Sequence, residues 1–422
     1  MSTIGKGSAE QALSDSEIRE ICSLAFSAPV FEGKRVLVLI PDHTRHARID
    51  LFFHIICDLL IKRTKSLDFL IATGTHADME PERIYRHVGI TQAEHRSKFA
   101  TVRFFNHEHQ NPAALAAIGT IPADEIEQVT RGVFAEPLEI TVNRKVLEYD
   151  HVIIVSPVVP HEAMGFAGGN KYFFPGIAGL KVIETFHWLG AILTNPAVNG
   201  VKDTPTRRLI ERAAEFISTP RTCLAFAVDE RNNPRCLFIG DPKGAWSRAA
   251  DYSASLHISY VDKPYETVLA ITPDLYEEVW VGGKAMYKLE PIVADGGEVI
   301  IYGPQIKQIS FVHENDIRRI GYHVVEYFTK QWERFKHEPK LILAHSTNVR
   351  GIGTFADGVE RPRINVTLAT SISEEICKKV NLGFRDYRTI DLKAWRSKKD
   401  KNTMVVENAG QNLFRLKNGQ TH

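Results

Sequence analysis

Residues 35–45 of the chain read RVLVLIPDHTR, an apolar run that ends in a cluster of polar side chains. A continuous apolar run of this length, followed at once by turn residues, is typical of a parallel β-strand that is covered on both faces. The same pattern recurs at LDFLIA (residues 67–72) and HVIIVS (residues 151–156), and Leu51–Lys62 has the spacing of a helix. This alternation of strands and helices predicts an α/β fold.

A second block of apolar runs follows in the C-terminal part of the chain. Thr267–Ile271, Glu298–Tyr302 and Leu341–His345 are predicted to be strands with helical segments between them. Leu256–Thr267 is interpreted as the crossover between the two blocks. Pro137–Asp150 alternates apolar and polar residues, which indicates an antiparallel insertion rather than a helix.

With 422 residues, the chain is too long for one ordinary hydrophobic core. We therefore predict two α/β domains with mainly parallel sheets, an N-terminal domain over residues 1–260 and a C-terminal domain over residues 261–422. The active site is expected in the cleft between them. Ligands of open α/β sheets bind beyond the carboxyl ends of the strands, so the loops after the strands are the places to search for site residues.

Composition and charge argue against several classes of protein. The formal net charge of +1 is unlike that of nucleic-acid binders, which generally carry a basic excess. No apolar run reaches the roughly 20 residues that a membrane-spanning helix needs, and the N-terminal residues lack the pattern of a signal peptide. The five cysteines form no C-x-x-C motif and are predicted to be buried apolar side chains. We therefore expect a cytoplasmic protein with neither nucleic acid nor membrane as a partner.

The loop PDHTR (residues 41–45) directly follows the first predicted strand. It supplies a carboxylate, an imidazole, a hydroxyl and a guanidinium at one strand end, from Asp42, His43, Thr44 and Arg45. Arginine and threonine suit a bound phosphate, and aspartate suits a ribose hydroxyl or an orienting role. The alternative is that Asp42 or Thr44 only caps the following helix.

The loop TGTH (residues 73–76) follows the second predicted strand. Gly74 allows a tight turn, after which His76 projects from the carboxyl edge of the sheet. Because histidine titrates near neutral pH, His76 is a candidate general acid or base. The alternative is a structural or surface histidine.

The longest loop, PHEAMGFAGGNKYFFPGIAG (residues 160–179), follows HVIIVS and contains five glycines. This glycine content predicts a backbone that approaches another group closely. The phosphate-binding motifs G-x-x-x-x-G-K-[ST] and G-x-G-x-x-G are both absent from it. Lys171 lies among glycines and aromatic residues, where desolvation would make it nucleophilic. A phosphate-binding or exposed lysine is the alternative.

Other histidines are candidate metal ligands. His187 lies in Leu180–Gly190, which has helical spacing, and a neutral imidazole is a common ligand of transition metals. The alternative for a helical histidine beside Trp188 is an interior residue. His107 and His109 form an H-x-H motif that suits either a metal site or a surface or supporting role.

In combination, these motifs resemble those of one family. The chain resembles the nickel-pincer nucleotide-dependent lactate racemase family through PDHTR, ATGTH and SPVVPHEAMGFAGGNKYFFPGIAG, in that order, with His187 sixteen residues beyond Lys171. The resemblance is clear over residues 35–245 and weak elsewhere. It implies that Lys171 binds the cofactor, nickel pyridinium-3,5-bisthiocarboxylic acid mononucleotide, covalently through a thioamide.

The resemblance also implies roles for the other site residues. His187 is expected to bind the nickel ion, and residues 42–45 are expected to contact the cofactor. His76 and His161 are expected to form an acid/base pair. In this interpretation the N-terminal domain binds the cofactor and carries the catalytic residues, and the C-terminal domain supplies substrate contacts.

The activity implied by the resemblance is that of an isomerase which racemises or epimerises a 2-hydroxy acid. Hydride leaves carbon 2 for the cofactor and returns to the opposite face, while the two histidines remove and return the hydroxyl proton. The implied partners are the small-molecule hydroxy acid and the enzymes that make the cofactor.

The carboxylate of the substrate needs a cation. The family uses a lysine of the second domain, and Lys284 lies at that position, with Lys288 as an alternative. The sequence departs from the lactate-type enzymes at Val281, where they have glutamine. A sugar acid or a larger hydroxy acid is therefore an alternative to lactate.

Two further alternatives come from other classes of protein. A metal-dependent hydrolase would bind zinc with His76, His161 and His187 to activate water, and would not need Lys171. A non-catalytic cofactor carrier would retain Lys171 and His187 without needing both of the other histidines. The wide spacing of the histidines argues against the hydrolase, and the joint presence of His76 and His161 argues against the carrier.

Overall fold

The computed structural model describes residues 2–45, 47–398 and 400–417. The chain forms two compact units. The first unit consists of Met1–Val159, Phe166–Ile183 and Lys202–Leu256, and the second of Pro160–Gly165, Glu184–Val201 and His257–His422. Each unit has its own main sheet and its own hydrophobic core.

The first unit is built on a seven-stranded sheet. The strands lie in the order Ile4–Gly7, Pro234–Gly240, Arg221–Val228, His151–Pro157, Arg35–Pro41, Ser66–Ala72 and Phe104–Asn106. Pro234–Gly240 is antiparallel to both of its neighbours, and all other neighbouring pairs are parallel. The three strands predicted at residues 35–40, 67–72 and 151–156 are confirmed as adjacent parallel strands.

Burial explains the continuous apolar runs of these strands. Every residue of His151–Pro157 is buried, and so is every residue of Arg35–Pro41 after the first. The helix Ile49–Leu60 adds Phe52 and Phe53 to the same core. Burying one large apolar side chain stabilises a fold by about 1.5–3 kcal/mol. The buried side chains of this central layer therefore stabilise the strands that support the loops.

The second unit is built on a five-stranded parallel sheet. Its strands lie in the order Gly383–Phe384, Asn365–Thr370, Val293–Gly303, Tyr265–Ile271 and Thr403–Val406. The strands predicted at Thr267–Ile271 and Glu298–Tyr302 are therefore confirmed. Residues 294–298 of the strand Val293–Gly303 are partly or fully exposed, whereas Val299–Ile301 are buried.

The strand predicted at Leu341–His345 is wrong, because this segment lies in the helix Lys340–Arg350. Every residue from Leu341 to Val349 is buried. The apolar run Leu341–Ala344 covers only about one turn of this helix, and periodicity cannot distinguish so short a run in a buried helix from a buried strand.

Smaller sheets complete the architecture. The antiparallel insertion predicted within Pro137–Asp150 is confirmed by Leu138–Asn143, which pairs antiparallel with Leu115–Ile121. The other pairs are the parallel strands Ile258–Val261 and Leu413–Leu416 and the hairpin of Gly353–Ala356 with Val359–Pro362. Short strands also occur at Pro160–His161 and Gly165–Phe166.

The α-helices connect and cover these strands. Within the described residues they are Asp15–Phe26, Ile49–Leu60, Pro81–His87, Gln92–Ser97, Ala123–Thr130, Lys145–Glu148, Leu180–Ile192, Asn195–Val198, Pro205–Glu215, Pro242–His257, Val279–Gly282, Lys284–Tyr287, Glu314–Ile320, Val325–Thr329, Trp332–Phe335, Lys340–Arg350, Glu374–Lys379 and Leu392–Ser397. Among these described helices, none combines the length and the hydropathy that crossing a bilayer requires. All five cysteines are buried free thiols, as predicted.

Candidate functional site

The PDHTR loop begins at the last residue of the strand Arg35–Pro41 and contains a buried carboxylate, that of Asp42. The next helix begins at Ile49 with Arg48 as its N-cap residue, so the alternative role of Asp42 or Thr44 as a helix cap is wrong. Asp42 is only 4% exposed. Its Oδ1 accepts hydrogen bonds from the amide of Thr44 at 2.9 Å and from the hydroxyl of Thr44 at 2.6 Å.

The remaining carboxylate oxygen of Asp42 holds His76. Asp42 Oδ2 lies 2.6 Å from His76 Nδ1. Burial alone would raise the pKa of Asp42, but hydrogen bonds from His76 and Thr44 and the charges of His76 and Arg45 lower it well below its usual range. Because an ionised carboxylate only accepts hydrogen bonds, the neutral imidazole carries its proton on Nδ1 and presents a lone pair at Nε2.

His43 and Arg45 differ in their surroundings although they are close in sequence. His43 is exposed and lines a surface pocket of about 580 Å³, together with Glu80, Glu82, Arg83, Arg86 and His87. Arg45 is partly buried, and its charge acts on both Asp42 and the phenol of Tyr172. The two residues thus differ in exposure, with His43 at the protein surface and Arg45 partly buried.

The loops PDHTR and TGTH and residues 166–179 of the third predicted loop come together in the first unit, whereas Pro160–Gly165 of that loop belongs to the second. The amide of Gly74 donates a hydrogen bond to the carbonyl of Gly176 at 3.0 Å, which joins TGTH to the glycine-rich segment. Burial raises the pKa of Tyr172 well above its usual value, with further effects from the charges of Arg45 and Asp42. Tyr172 thus lies beside the PDHTR loop.

His107 supports this arrangement from below. It is buried, its Nε2 lies 2.8 Å from the carbonyl of Ala178, and its Nδ1 accepts a hydrogen bond from the amide of Asn143. Its own carbonyl accepts a hydrogen bond from the hydroxyl of Thr73. Burial lowers the pKa of His107 to about 4, so the ring is neutral near neutral pH. The structure therefore favours a supporting role for His107 over a role as a metal ligand.

The backbone before Lys171 forms a tight turn of glycines. Gly168 has φ of 90° and Gly169 has φ of 62°, a region that L side chains rarely adopt. A Cβ on Gly168 would lie 2.7 Å from Ser156 Oγ, and one on Gly169 would lie 2.7 Å from Arg207 Nη2. The close backbone approach predicted from the glycine content is confirmed, and the turn leads into the 3₁₀ helix Gly169–Tyr172, where Lys171 is partly buried.

Two of the predicted site histidines, His161 and His187, belong to the second unit. The His161 side chain is nearly buried, and its Nδ1 accepts a hydrogen bond from the amide of Ala163 at 3.2 Å. Glu162 Oε2 lies 3.4 Å from the same Nδ1. His187 lies on the helix Leu180–Ile192, and its ring centroid is 6.4 Å from that of His161. The structure brings this pair of imidazoles together.

The predicted carboxylate-binding lysine also lies in the second unit. Lys284 is partly buried at the start of the helix Lys284–Tyr287, with its Nζ 5.5 Å from the ring centroid of Tyr276. Lys288 is buried and donates a hydrogen bond to the carbonyl of Gln411 at 2.5 Å. The ammonium of Lys288, the alternative to Lys284, thus already has a protein acceptor.

The residues present fit the implied cofactor. The glycine turn leaves no room for a Cβ at the two residues before Asn170, and the buried Asn170 Oδ1 has no hydrogen-bond partner in the described structure. Within residues 2–45, 47–398 and 400–417, no three His, Cys, Asp or Glu side chains are placed to hold a metal ion together. A metal bound mainly by its own cofactor needs a single protein ligand, as His187 would be, whereas a zinc hydrolase needs about three.

Four residues that contact the glycine turn were not predicted as site residues from the sequence. These are Ser156, Arg207, Glu211 and Trp246. An arginine and a glutamate four residues apart on a helix are typical of a solvated surface pair. Only the packing of the helix Pro205–Glu215 against the turn makes this pair a buried one.

Comparison with known sequences gives consistent matches. The model of the lactate racemase N-terminal domain matches residues 6–199. A lactate racemase from Thermoanaerobacterium thermosaccharolyticum is 26% identical over 285 residues, and one from Lactiplantibacillus plantarum is 24% identical over 284 residues. Each alignment covers 64% of this chain, and the chain spans 60% of the length of each of these relatives.

Two solved structures share the fold over almost the whole chain. A crystal structure of a protein from Thermotoga maritima is 34% identical with a TM-score of 0.88, covering 98% of this chain and 100% of that one. The lactate racemase apoprotein from Thermoanaerobacterium thermosaccharolyticum is 20% identical with a TM-score of 0.73, covering 98% of this chain and 95% of that one. The fold and the site thus define an α/β protein of two units. It has a histidine that is oriented by a buried carboxylate and a lysine that follows a turn with two glycines. Residues 6–199 belong to the lactate racemase N-terminal domain family, and the chain as a whole is similar to lactate racemases.

Proposed function

We propose that this protein is a racemase or C2-epimerase of a 2-hydroxy acid that works with a nickel-pincer nucleotide attached to Lys171. Family membership supports the reaction class. The observation that carries the proposal is the 2.6 Å contact of His76 with the buried carboxylate of Asp42. Asp42 and His76 follow the carboxyl ends of two neighbouring strands, and Ser156 in the strand on the other side accepts a hydrogen bond from the amide of Gly169. A buried carboxylate that orients an imidazole is the arrangement of a general base.

Inversion of a 2-hydroxy carbon requires that hydrogen leaves one face and returns to the other. When bound, the cofactor supplies the hydride acceptor that amino-acid side chains lack. His76 Nε2 takes the hydroxyl proton as the carbon is oxidised, which leaves a planar 2-keto acid. Reduction from the opposite face and return of a proton to the oxygen complete the inversion.

A second proton carrier is needed because the two enantiomers present their hydroxyl groups differently. His161 fills this role in the proposal. The amide of Ala163 donates to its Nδ1, so the neutral ring carries its proton on Nε2. Each positioned histidine is expected to contribute on the order of 10²–10⁴ to the rate.

Lys284 is the proposed cation for the substrate carboxylate. Its ammonium is partly buried, which strengthens a charge-assisted hydrogen bond relative to bulk water. Val281, where lactate-type enzymes have glutamine, removes a polar side chain from the same segment. This difference favours testing larger hydroxy acids and sugar acids beside lactate.

The attachment to Lys171 is tested by the intact mass of protein that is co-expressed with the cofactor-making enzymes, which are the proposed partners. We expect an adduct on the wild type and on Lys181→Ala, an exposed lysine nearby, but none on Lys171→Ala. A fully active protein of unmodified mass would contradict the proposal.

The reaction is tested with a panel of 2-hydroxy acids and holoprotein in deuterated buffer. We expect inversion with retention of the hydrogen on carbon 2. Deuterium at carbon 2 would indicate proton abstraction instead. Hydrolytic activity with zinc alone would favour the hydrolase alternative, and an adduct without turnover of any acid would favour the carrier.

A further inference from the structure

The helix Pro205–Glu215 contains a buried charged residue, Arg207, whose side chain contacts the glycine turn. Arg207 is only 3% exposed, and its Nη1 donates a hydrogen bond to the carbonyl of Gly168 at 3.0 Å. Its Nε lies 2.9 Å from Glu211 Oε1, and its guanidinium carbon lies 3.5 Å from the ring centroid of Trp246. Burial lowers the pKa of Arg207 to about 10, so the group is still charged near neutral pH.

This arginine is not well explained by stability alone. Removing a guanidinium from water costs several kcal/mol, and a buried ion pair often contributes no more than well-packed apolar side chains of similar volume. Moreover, the geometry of the contact with Glu211 is not that of a hydrogen bond, and Nε and Nη2 have no hydrogen-bond partner within the described residues. The hydrogen bond of Arg207 to Gly168 therefore indicates a role in shaping the turn.

The same cluster contacts each neighbouring residue of the turn. Trp246 Nε1 donates to the carbonyl of Ala167 at 2.9 Å. The amide of Gly169 donates to Ser156 Oγ at 2.7 Å. Asn170 Nδ2 donates to Glu211 Oε2 at 2.7 Å. Four consecutive residues before Lys171 are thus each held by a side chain from another element.

We propose that Arg207, together with Glu211, is a positioning residue that holds the turn of residues 167–170 in the conformation which presents Lys171 for cofactor attachment. This inference rests on the proposed function of Lys171. A Cβ on Gly169 would lie 2.7 Å from Arg207 Nη2, so the glycine allows the guanidinium to pack closely against the turn. Neither residue contacts the reacting atoms in the proposal, and their effect passes through the backbone.

The test compares Arg207→Lys with Arg208→Lys on the same helix. Lysine keeps the charge but loses the planar fork that reaches the Gly168 carbonyl and stacks on the indole. Arg208 is exposed and paired with Asp203, so it is a matched control. We expect Arg207→Lys to be folded, with faster hydrogen exchange of the amides of residues 167–172. We also expect its rate of adduct formation on Lys171 to fall about 10–100-fold, because small misplacements of reacting groups have effects of this size.

Arg208→Lys is expected to exchange and to form the adduct as the wild type does. Wild-type exchange and wild-type adduct formation in Arg207→Lys would overturn the inference. If Arg207→Lys does not fold, Glu211→Gln, which preserves the shape of the side chain, decides by the same two measurements.

Failure of the proposed function is distinguishable from failure of this inference. A wild type without any adduct would refute the role of Lys171. The exchange measurement needs no cofactor, so unchanged exchange in apoprotein Arg207→Lys would refute the positioning role in either case.

Discussion

His76 in the first unit and His161 in the second unit are held in different ways. His76 is held by the carboxylate of Asp42, which is 34 residues away in the sequence. His161 is held by the backbone amide of Ala163, two residues further along the chain. The carboxylate leaves a lone pair at Nε2 of the first ring, whereas the amide leaves a proton at Nε2 of the second.

This difference teaches that the two proposed acid/base residues are not equivalent. The state of His76 depends on a tertiary contact that a single substitution can remove. The state of His161 depends on contacts within its own segment, which include the amide of Ala163 and the carboxylate of Glu162. A single substitution is therefore expected to disturb His76, in the first unit, more easily than His161.

The largest effect is expected from removing either ring. His76→Ala and His161→Ala should each lower kcat about 10²–10⁴-fold, because each removes a general acid/base. Enantiomers have equal free energies, so kcat/KM of a racemase must fall by the same factor in both directions. Racemisation rates measured from each enantiomer check this, with the exposed His337→Ala as control. Wild-type rates in either variant would remove that histidine from the mechanism.

A smaller effect is expected from Asp42→Asn. The amide offers an N–H as well as an oxygen to Nδ1, which favours the tautomer with the proton on Nε2 and removes the lone pair of His76. We expect kcat to fall about 10²-fold with little change in KM. Asp58→Asn, at an exposed carboxylate paired with Arg19, should be neutral.

The acid side of the pH profile adds a check on Asp42. The pKa of this carboxylate is lowered in the folded protein, so its ionised form persists below the usual range near 3.9. An activity loss between pH 5 and 7 in the wild type, about two units above that range, must therefore come from groups other than Asp42. Titration of the Asp42 carboxylate at or above its usual value near 3.9 would contradict this.

The two lysines of the second unit sharpen the comparison further. Lys284→Met should raise KM about 10–100-fold, since a hydrogen bond to a charged group contributes about 1.5–3 kcal/mol. Lys288→Met should instead lower stability by about 1–3 kcal/mol, because it leaves the carbonyl of Gln411 without its donor. Steady-state kinetics and chemical denaturation distinguish the two. The reverse pattern would assign the substrate carboxylate to Lys288.

The smallest expected effect is a pH dependence of the stability, which comes from the buried imidazole of His107. Its pKa is lowered by burial to about 4, against about 6.5 in an unfolded chain. The unfolded state therefore binds more protons between these values, and stability falls as pH decreases from about 6.5 toward 4. The expected loss at pH 5 is about 2 kcal/mol for this group.

Denaturation of the wild type and of His107→Gln at pH 7.5 and pH 5 measures this loss. The variant should be less stable at pH 7.5 but should lose less of its stability on acidification. An equal loss in both proteins would show that His107 does not contribute to the acid sensitivity.

Local pattern predicted five of the twelve strands in the two main sheets, because a strand buried on both faces needs an apolar side chain at nearly every position. The same pattern was misleading at Leu341–His345, since a helix buried on all sides meets the same requirement. The division predicted near residue 260 did not include Pro160–Gly165 and Glu184–Val201 in the second unit. Such an exchange of segments leaves no trace in hydrophobic periodicity.

The amino-acid sequence by itself determined the chemistry that is available: an imidazole at a strand end, a lysine after two glycines and a histidine on the helix that follows. Only the tertiary structure decided that Asp42 orients His76 and that Arg207 packs closely against Gly169. The physical reason is that tautomers, burial and hydrogen-bond partners depend on residues far apart in the chain, which come together only when the sheet and its helices pack.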